Sequence, residues 1–358
     1  MNIKSLLLGS AAALAAVSGA QAADAIVAAE PEPMEYVRVC DAFGTGYFYI
    51  PGTETCLKIG GYVRFQTNFG RDQSGTSDWN TFTRGQLQFD AKNDTELGTL
   101  ESTIVLQTNA SQASGAESDE TDRTFLDTAS ISIAGFKFGY YYSWWDDGIA
   151  GETDALATNT LFNSISYTYD GGAFKAGISV DELEGIGRVG GFPDSPNDFS
   201  RKDNGVGVAA MLSGSVGGVT ATLLGGYDTE REEGAVRAIL SAELGAGTFS
   251  LAGVWASDPN VYYNESEWTV AASYEFKATD KLTITPAAQY FSDFGFYDGV
   301  DAWRVGLTAG YQITDGLKSL VTVQYQDVDD GSFTRFDGTT NNIGGDEVSG
   351  FIRLQRDF

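Results

Sequence analysis

The chain closes on Val348-Ser-Gly-Phe-Ile-Arg-Leu-Gln-Arg-Asp-Phe358, and the alternation in this stretch decides the fold. Successive side chains of a strand point to opposite faces. Val348, Ile352, Leu354 and Phe358 therefore share one apolar face, and Arg353 and Gln355 share a polar one. A strand that is greasy on one side, wet on the other and aromatic at its end is the unit of a barrel that crosses a bilayer. Arg356 departs from that pattern, standing third from the end where an apolar or aromatic residue is usual. The opposite terminus agrees on location. Residues 1–4 are a short basic segment, 5–17 an apolar run and Ala20-Gln21-Ala22 a small-x-small cleavage site, so 1–22 read as a secretory signal peptide and the mature chain begins at Ala23. No other stretch approaches the roughly 20 apolar residues of a membrane helix. An exported chain without one can still span lipid as a closed barrel, because closure pairs every backbone group.

Working back from the C-terminal strand, period-2 alternation recurs from Leu57 onward. In the first segment Leu57, Ile59, Val63 and Phe65 would face lipid, and Lys58, Tyr62, Arg64 and Gln66 a wet lumen. Further strands are expected at 79–92, 98–109, 124–133, 136–145, 163–169, 173–181, 205–213, 218–227, 235–244, 247–256, 266–277, 281–292, 301–313, 317–326 and 348–358, which makes sixteen. Short links carrying Gly or Asp alternate with long ones, as periplasmic turns alternate with external loops. All six tryptophans, Trp79, Trp144, Trp145, Trp255, Trp268 and Trp303, fall at the long-loop ends and form one aromatic girdle; Phe136, Phe174, Phe249, Phe276, Tyr311 and Phe358 form the other. A soluble two-sheet protein would also alternate, but it has no reason to sort loops by length or tryptophans to one rim. The expected fold is all-β, a 16-stranded antiparallel transmembrane barrel over 57–358, preceded by a periplasmic-side segment at 23–56.

Composition excludes other classes. With 49 acidic and 22 basic residues the net charge is −27, which repels phosphate backbones and argues against nucleic-acid binding. Histidine is absent, so there is no imidazole base, no Ser-His-Asp or Cys-His pair and no HExxH zinc site. Neither an enzyme nor a cofactor is expected. Cys40 and Cys56, in an exported chain, read as one disulfide worth about 3 kcal/mol, the alternative being a two-cysteine metal site. Most acids fall in the expected external loops, clustered at Glu117–Asp122, Asp228–Glu233 and Asp327–Asp330. They read as solvated loop tips, or as carboxylates bridged by divalent cations to lipopolysaccharide phosphates. Gly185, Gly187 and Gly190 match G-x-G-x-x-G but run into Gly191-Phe-Pro193, where no helix can open, so no dinucleotide fingerprint is present.

Several segments together resemble the alphaproteobacterial porins of the Brucella and Rhizobium type. They are Met1–Gly9, the cysteine-bracketed Glu35–Leu57, Gly61-Tyr-Val-Arg64, Thr95–Leu100 and Arg353-Leu-Gln-Arg-Asp-Phe358. The resemblance covers essentially the whole chain, although 110–300 match only in pattern. It implies a homotrimeric outer-membrane barrel for passive diffusion of small hydrophilic solutes, held in lipid and lipopolysaccharide. In such barrels a third external loop folds inward between strands five and six and sets its acids against a basic wall. Here that loop is 146–162, carrying Asp146, Asp147, Glu152 and Asp154 and no base. The facing bases, chosen by parity, are Arg64, Arg84 and Arg353; Lys137, Arg237 and Arg304 share the parity on other strands. With loops this acidic, cation preference is expected. The alternatives are a solute-specific channel, with Tyr140–Trp145 as an aromatic slide, or a structural or adhesive surface barrel; sixteen strands leave an aqueous channel unless plugged.

Overall fold

The chain divides into two units, residues 1–38 and 39–358, and the second holds the strands. The computed structural model describes residues 38–70, 78–111, 124–184, 186, 188–189, 199–200, 205–334 and 338–358. The signal peptide, the acidic cluster at 117–122 and the three glycines of the G-x-G-x-x-G match lie outside the described residues. Among the described residues no helix is long and apolar enough to cross a membrane.

Sixteen strands make the wall: β1 Cys56–Gly70, β2 Trp79–Thr95, β3 Gly98–Ser111, β4 Thr124–Ile133, β5 Phe136–Tyr142, β6 Leu161–Asp170, β7 Phe174–Glu182, β8 Val206–Val216, β9 Val219–Asp228, β10 Glu233–Leu244, β11 Gly247–Ala256, β12 Ser266–Lys277, β13 Leu282–Phe294, β14 Ala302–Thr314, β15 Leu317–Thr334 and β16 Thr340–Asp357. Each pairs antiparallel with the next, and β16 returns to β1 with Arg353 opposite Gln66 and Gln355 opposite Arg64. The chain is thus a closed 16-stranded antiparallel β-barrel, with no free edge in the ring.

Side chains sort as the alternation requires. Val63 and Phe65 are half exposed on the outer face, whereas Gln66, next along the strand, is 7% exposed. The inward set is polar, with Gln107, Ser166, Ser250, Thr269, Gln289, Thr308, Thr322 and Gln355 all buried. Trp79, Trp255, Trp268 and Trp303 stand exposed at one rim and Phe136, Phe174, Phe249, Tyr311 and Phe358 at the other. At the second rim the hairpins are tight. Ala134 and Gly135 have φ of 52° and 85°, and Gly217 and Gly218 59° and 80°, the pair of positive angles a type I′ turn needs to match strand twist.

Four expectations are corrected. β5 ends at Tyr142, because Ser143 caps a 3₁₀ turn over Trp144–Asp146 by accepting the Trp145 N–H at 3.3 Å. Trp144 and Trp145 consequently leave the girdle, and Trp145 is 1% exposed inside the barrel. The β9–β10 connection is only residues 229–232, no longer than the turn at 278–281. Finally β15 and β16 continue well past the expected ends, so Asp327, Asp329 and Asp330 lie on a projecting hairpin. Phe333, Ile343 and Val300 form a small buried cluster there, with Tyr297 of the β13–β14 loop packed against it, which gives the hairpin an apolar anchor outside the lipid band.

Before β1, Phe48–Tyr49 pairs with Cys56–Leu57, and a Cys40–Cys56 disulfide with a Cα–Cα distance of 5.9 Å closes the segment. Tyr47 is buried beside the disulfide, with Lys58 and Lys92 at 5.8 and 5.7 Å from its ring. This small structure sits at the short-turn end.

Candidate functional site

Between β5 and β6 the chain enters the barrel as residues 143–160. The base is closed by Ser143 N–H donating to Thr160 O at 2.7 Å. From there the loop follows the wall of β10 to β14. Arg237 of β10, 2% exposed, donates to Trp145 O at 2.8 Å, Trp144 O at 2.7 Å and Leu156 O at 3.4 Å, while its guanidinium lies 5.1 Å from the Trp145 ring. Gln289 of β13 accepts from Ala155 N–H at 2.7 Å and donates to Ala155 O at 2.9 Å, an amide imitating a strand partner. Arg304 of β14 donates to Thr153 O at 3.0 Å and to Gln326 Oε1. These bonds satisfy loop carbonyls that would otherwise be buried without partners.

Packing reinforces the bonding. Trp145 and Leu156 lie in one buried cluster with the small wall residues Ala209, Ala235, Ala252 and Ala271. Residues 257–265 fold in from the other side: Tyr262 stacks on Trp145 at 5.5 Å, meets Phe162 edge-on at 5.7 Å and donates its hydroxyl to Asp181 at 2.7 Å. The buried Asp181 also accepts from Ser164 and Ser179, so three hydroxyls replace the water it has lost. Glycine makes room at two contacts, since a Cβ on Gly306 would collide with Thr153 Oγ1 and one on Gly226 with the Tyr262 ring.

Arg64, Arg84 and Arg353 stand together on β1, β2 and β16. Arg64 is opposite Arg84 in register. Each Nε donates to a neutral amide oxygen on an adjacent strand: Arg64 to Gln355 at 2.7 Å, Arg84 to Asn109 at 2.7 Å and Arg353 to Gln66 at 2.6 Å. Each guanidinium also lies over the ring two residues before it, Tyr62 at 4.7 Å, Phe82 at 5.5 Å and Phe351 at 4.3 Å. The amide fixes one edge and the ring supports the plane, so three like charges are held in a row with no ion pair to a strand carboxylate among the described residues.

The loop acids divide. Glu152 Oε1 is 3.7 Å from Arg353 Nη1, which brings the loop to the arginine row. Asp147 and Asp154 lie toward Arg237 instead; burial pushes both carboxyls up from the ordinary aspartate value, with Arg237 opposing the shift. Asp146 stays at the loop base and accepts from Thr160 Oγ1 at 2.9 Å. Of the four acids, then, the structure places only Glu152 in ion-pair contact with one of the three arginines, and Arg237 and Arg304 anchor the loop rather than line its opposite wall. Gln289 and Tyr262 escaped sequence reasoning, since one polar residue of lumen parity looks like any other and a tyrosine in a loop carries no period.

A closed sixteen-stranded barrel with a polar lumen, an apolar outer band and a loop folded across its interior defines a membrane-spanning channel of the porin class. Comparison with known proteins agrees: the profile of a porin subfamily matches residues 24–351. A putative outer membrane protein of Sinorhizobium fredii is 56% identical, over 100% of this chain and 99% of its own length. Outer membrane protein IIIA of Rhizobium leguminosarum bv. viciae is 51% identical, over 92% and 91%. Porin Omp2b of Brucella neotomae is 36% identical over the full length of both. Among solved structures, OmpT of Vibrio cholerae in its trimer form superposes with a TM-score of 0.60 at 11% identity, covering 86% of this chain and all of OmpT, a likeness of fold. The chain belongs to this porin subfamily. It is an outer-membrane β-barrel porin, and its family and fold are those of a non-enzymatic channel.

Proposed function

We propose that the protein is a general, cation-preferring diffusion channel for small hydrophilic solutes and ions, working as a homotrimer. The observation that carries this reading is the loop at 143–160, whose Glu152 lies 3.7 Å from Arg353 in the row formed with Arg64 and Arg84. Carboxylates on one side of a narrow passage and guanidiniums on the other set a transverse field, which orders water and favours ions and dipolar solutes over apolar ones. Glu152 is the acid of this constriction that meets the basic side of Arg64, Arg84 and Arg353, and Asp146, Asp147 and Asp154 add negative charge from the same loop, toward its base and Arg237. Arginine suits the wall because it stays charged at any working pH. Cation preference follows from the net charge of −27 and the acids concentrated toward the external mouth. We read residues 1–22 as the signal peptide and 23–56 as a periplasmic-side segment, whose part from Val39 on is fastened by Cys40–Cys56. The trimer form of OmpT, a structural neighbour, supports the assembly.

The test is single-channel recording in planar bilayers under a salt gradient. Insertions in steps of three, open at low voltage and reversing on the cation side, support the proposal. Correctly folded protein without conductance refutes it and favours a surface barrel; a conductance that one sugar or peptide class saturates favours a solute-specific channel.

A further inference from the structure

We infer that the lumen holds a subsite for small polyanions between the arginine row and the short-turn rim, on the periplasmic side of the folded loop. A cavity of about 530 Å³ lies there. Five bases line it: Arg64 and Arg353 of the row, Lys277 at the end of β12, Lys281 in the turn before β13 and Lys318 at the start of β15. Asp280 is the acid in the lining. Lys318 is spent on Asp357 at 2.8 Å, and Lys281 donates to Ile313 O at 3.2 Å. Arg64 and Lys277 have no carboxylate in ion-pair reach among the described residues. Counting Asp280, Asp357 and the Glu152 that pairs with Arg353 against the five bases leaves a surplus of two positive charges in one wet concavity.

The Nε atoms of Arg64 and Arg353 are tied back by Gln355 and Gln66 and Arg353 Nη1 faces Glu152, so both terminal nitrogens of Arg64 and Nη2 of Arg353 are the donors that remain for a ligand. Guanidinium forks match the paired oxygens of carboxylate or phosphate, and ammonium groups add mobile point charges. The ligand class is therefore a small solute with two or more carboxylate or phosphate charges. Such a solute entering from outside meets the acidic mouth first, whereas one arriving from the periplasm meets the bases first, so the lumen is electrically polarised along its axis.

This rests on the channel reading only for its effect on current; binding is measured independently. Pyrophosphate is titrated calorimetrically into the detergent-solubilised, heat-modifiable protein at low salt, for wild type, the Lys277→Ser/Lys281→Ser double variant and Lys175→Ser, which removes a base of the same rim outside the cavity. Each close cation in water contributes about a factor of three to five toward a unit charge. The double variant should therefore weaken binding at least about tenfold and Lys175→Ser should leave it unchanged. In bilayers, pyrophosphate on the periplasmic side should reduce potassium chloride current saturably, and more than the same concentration outside. No calorimetric binding, or equal weakening in Lys175→Ser, overturns the subsite while leaving conductance intact; binding by a protein that passes no current overturns the channel reading and keeps the subsite.

Discussion

Arg237→Met is the most incisive perturbation, because it removes the donors that hold the folded loop while keeping most of the side chain's bulk. Arginine at this position makes two short charge-assisted bonds, 2.8 Å to Trp145 O and 2.7 Å to Trp144 O. At about 1.5 kcal/mol each, plus about 1 kcal/mol for the stack on Trp145, the docked loop loses about 4 kcal/mol. That is roughly a thousandfold shift in the equilibrium between docked and released loop. The barrel itself should persist, since Arg237 contributes its backbone, not its side chain, to the pairing with β9 and β11. The assay is single-channel recording with graded non-electrolytes. The variant should show noisier, larger conductance steps, pass larger polyethylene glycols and suffer proteolysis within 143–160 while remaining heat-modifiable. Wild-type step size, noise and exclusion limit in a correctly folded Arg237→Met protein would refute the claim that this side chain holds the loop.

Arg64→Ser and Arg84→Ser should each move the reversal potential further to the cation side, and Glu152→Gln should move it back; unchanged potentials would remove these residues from the constriction. Burial raises the Asp147 and Asp154 carboxyls above an ordinary aspartate, so each becomes neutral at a higher pH. Cation preference should accordingly begin to decline at a higher pH than ordinary aspartates would give, and Asp147→Asn/Asp154→Asn should abolish this early part of the decline while sparing the rest. Cys40→Ser closes no loop in the unfolded chain and should lower stability by about 3 kcal/mol, read as an earlier heat-modifiability transition with unchanged conductance.

How much of this was legible in the chain follows from the range of each interaction. Alternation is a property of the extended backbone, so Val63, Arg64, Phe65 and Gln66 declare their faces with no knowledge of any other strand. Repeated sixteen times, the local rule determined the barrel, the lumen parity of Arg64, Arg84 and Arg353, and the four outward tryptophans. It failed where a residue leaves the extended conformation. Trp144 and Trp145 looked like the next two strand positions, but the hydroxyl of Ser143 turned the chain inward and sent Trp145 to the core. At the other end of the chain, the acidic residues of the β15–β16 hairpin looked like a loop because charge masks the alternation that continues through Phe333 and Ile343.

The folded loop belongs to tertiary structure alone. Arg237 meets Trp145 across 92 positions of sequence, and Gln289 meets Ala155 across 134. Such partners are brought together only once the ring has closed and set β10 and β13 beside the loop. Which acid reaches the arginine row is decided in the same way: four carboxylates lie within nine residues, and Glu152 alone makes the ion pair, because Arg237, Gln289 and Arg304 fix the path of the backbone on either side of it.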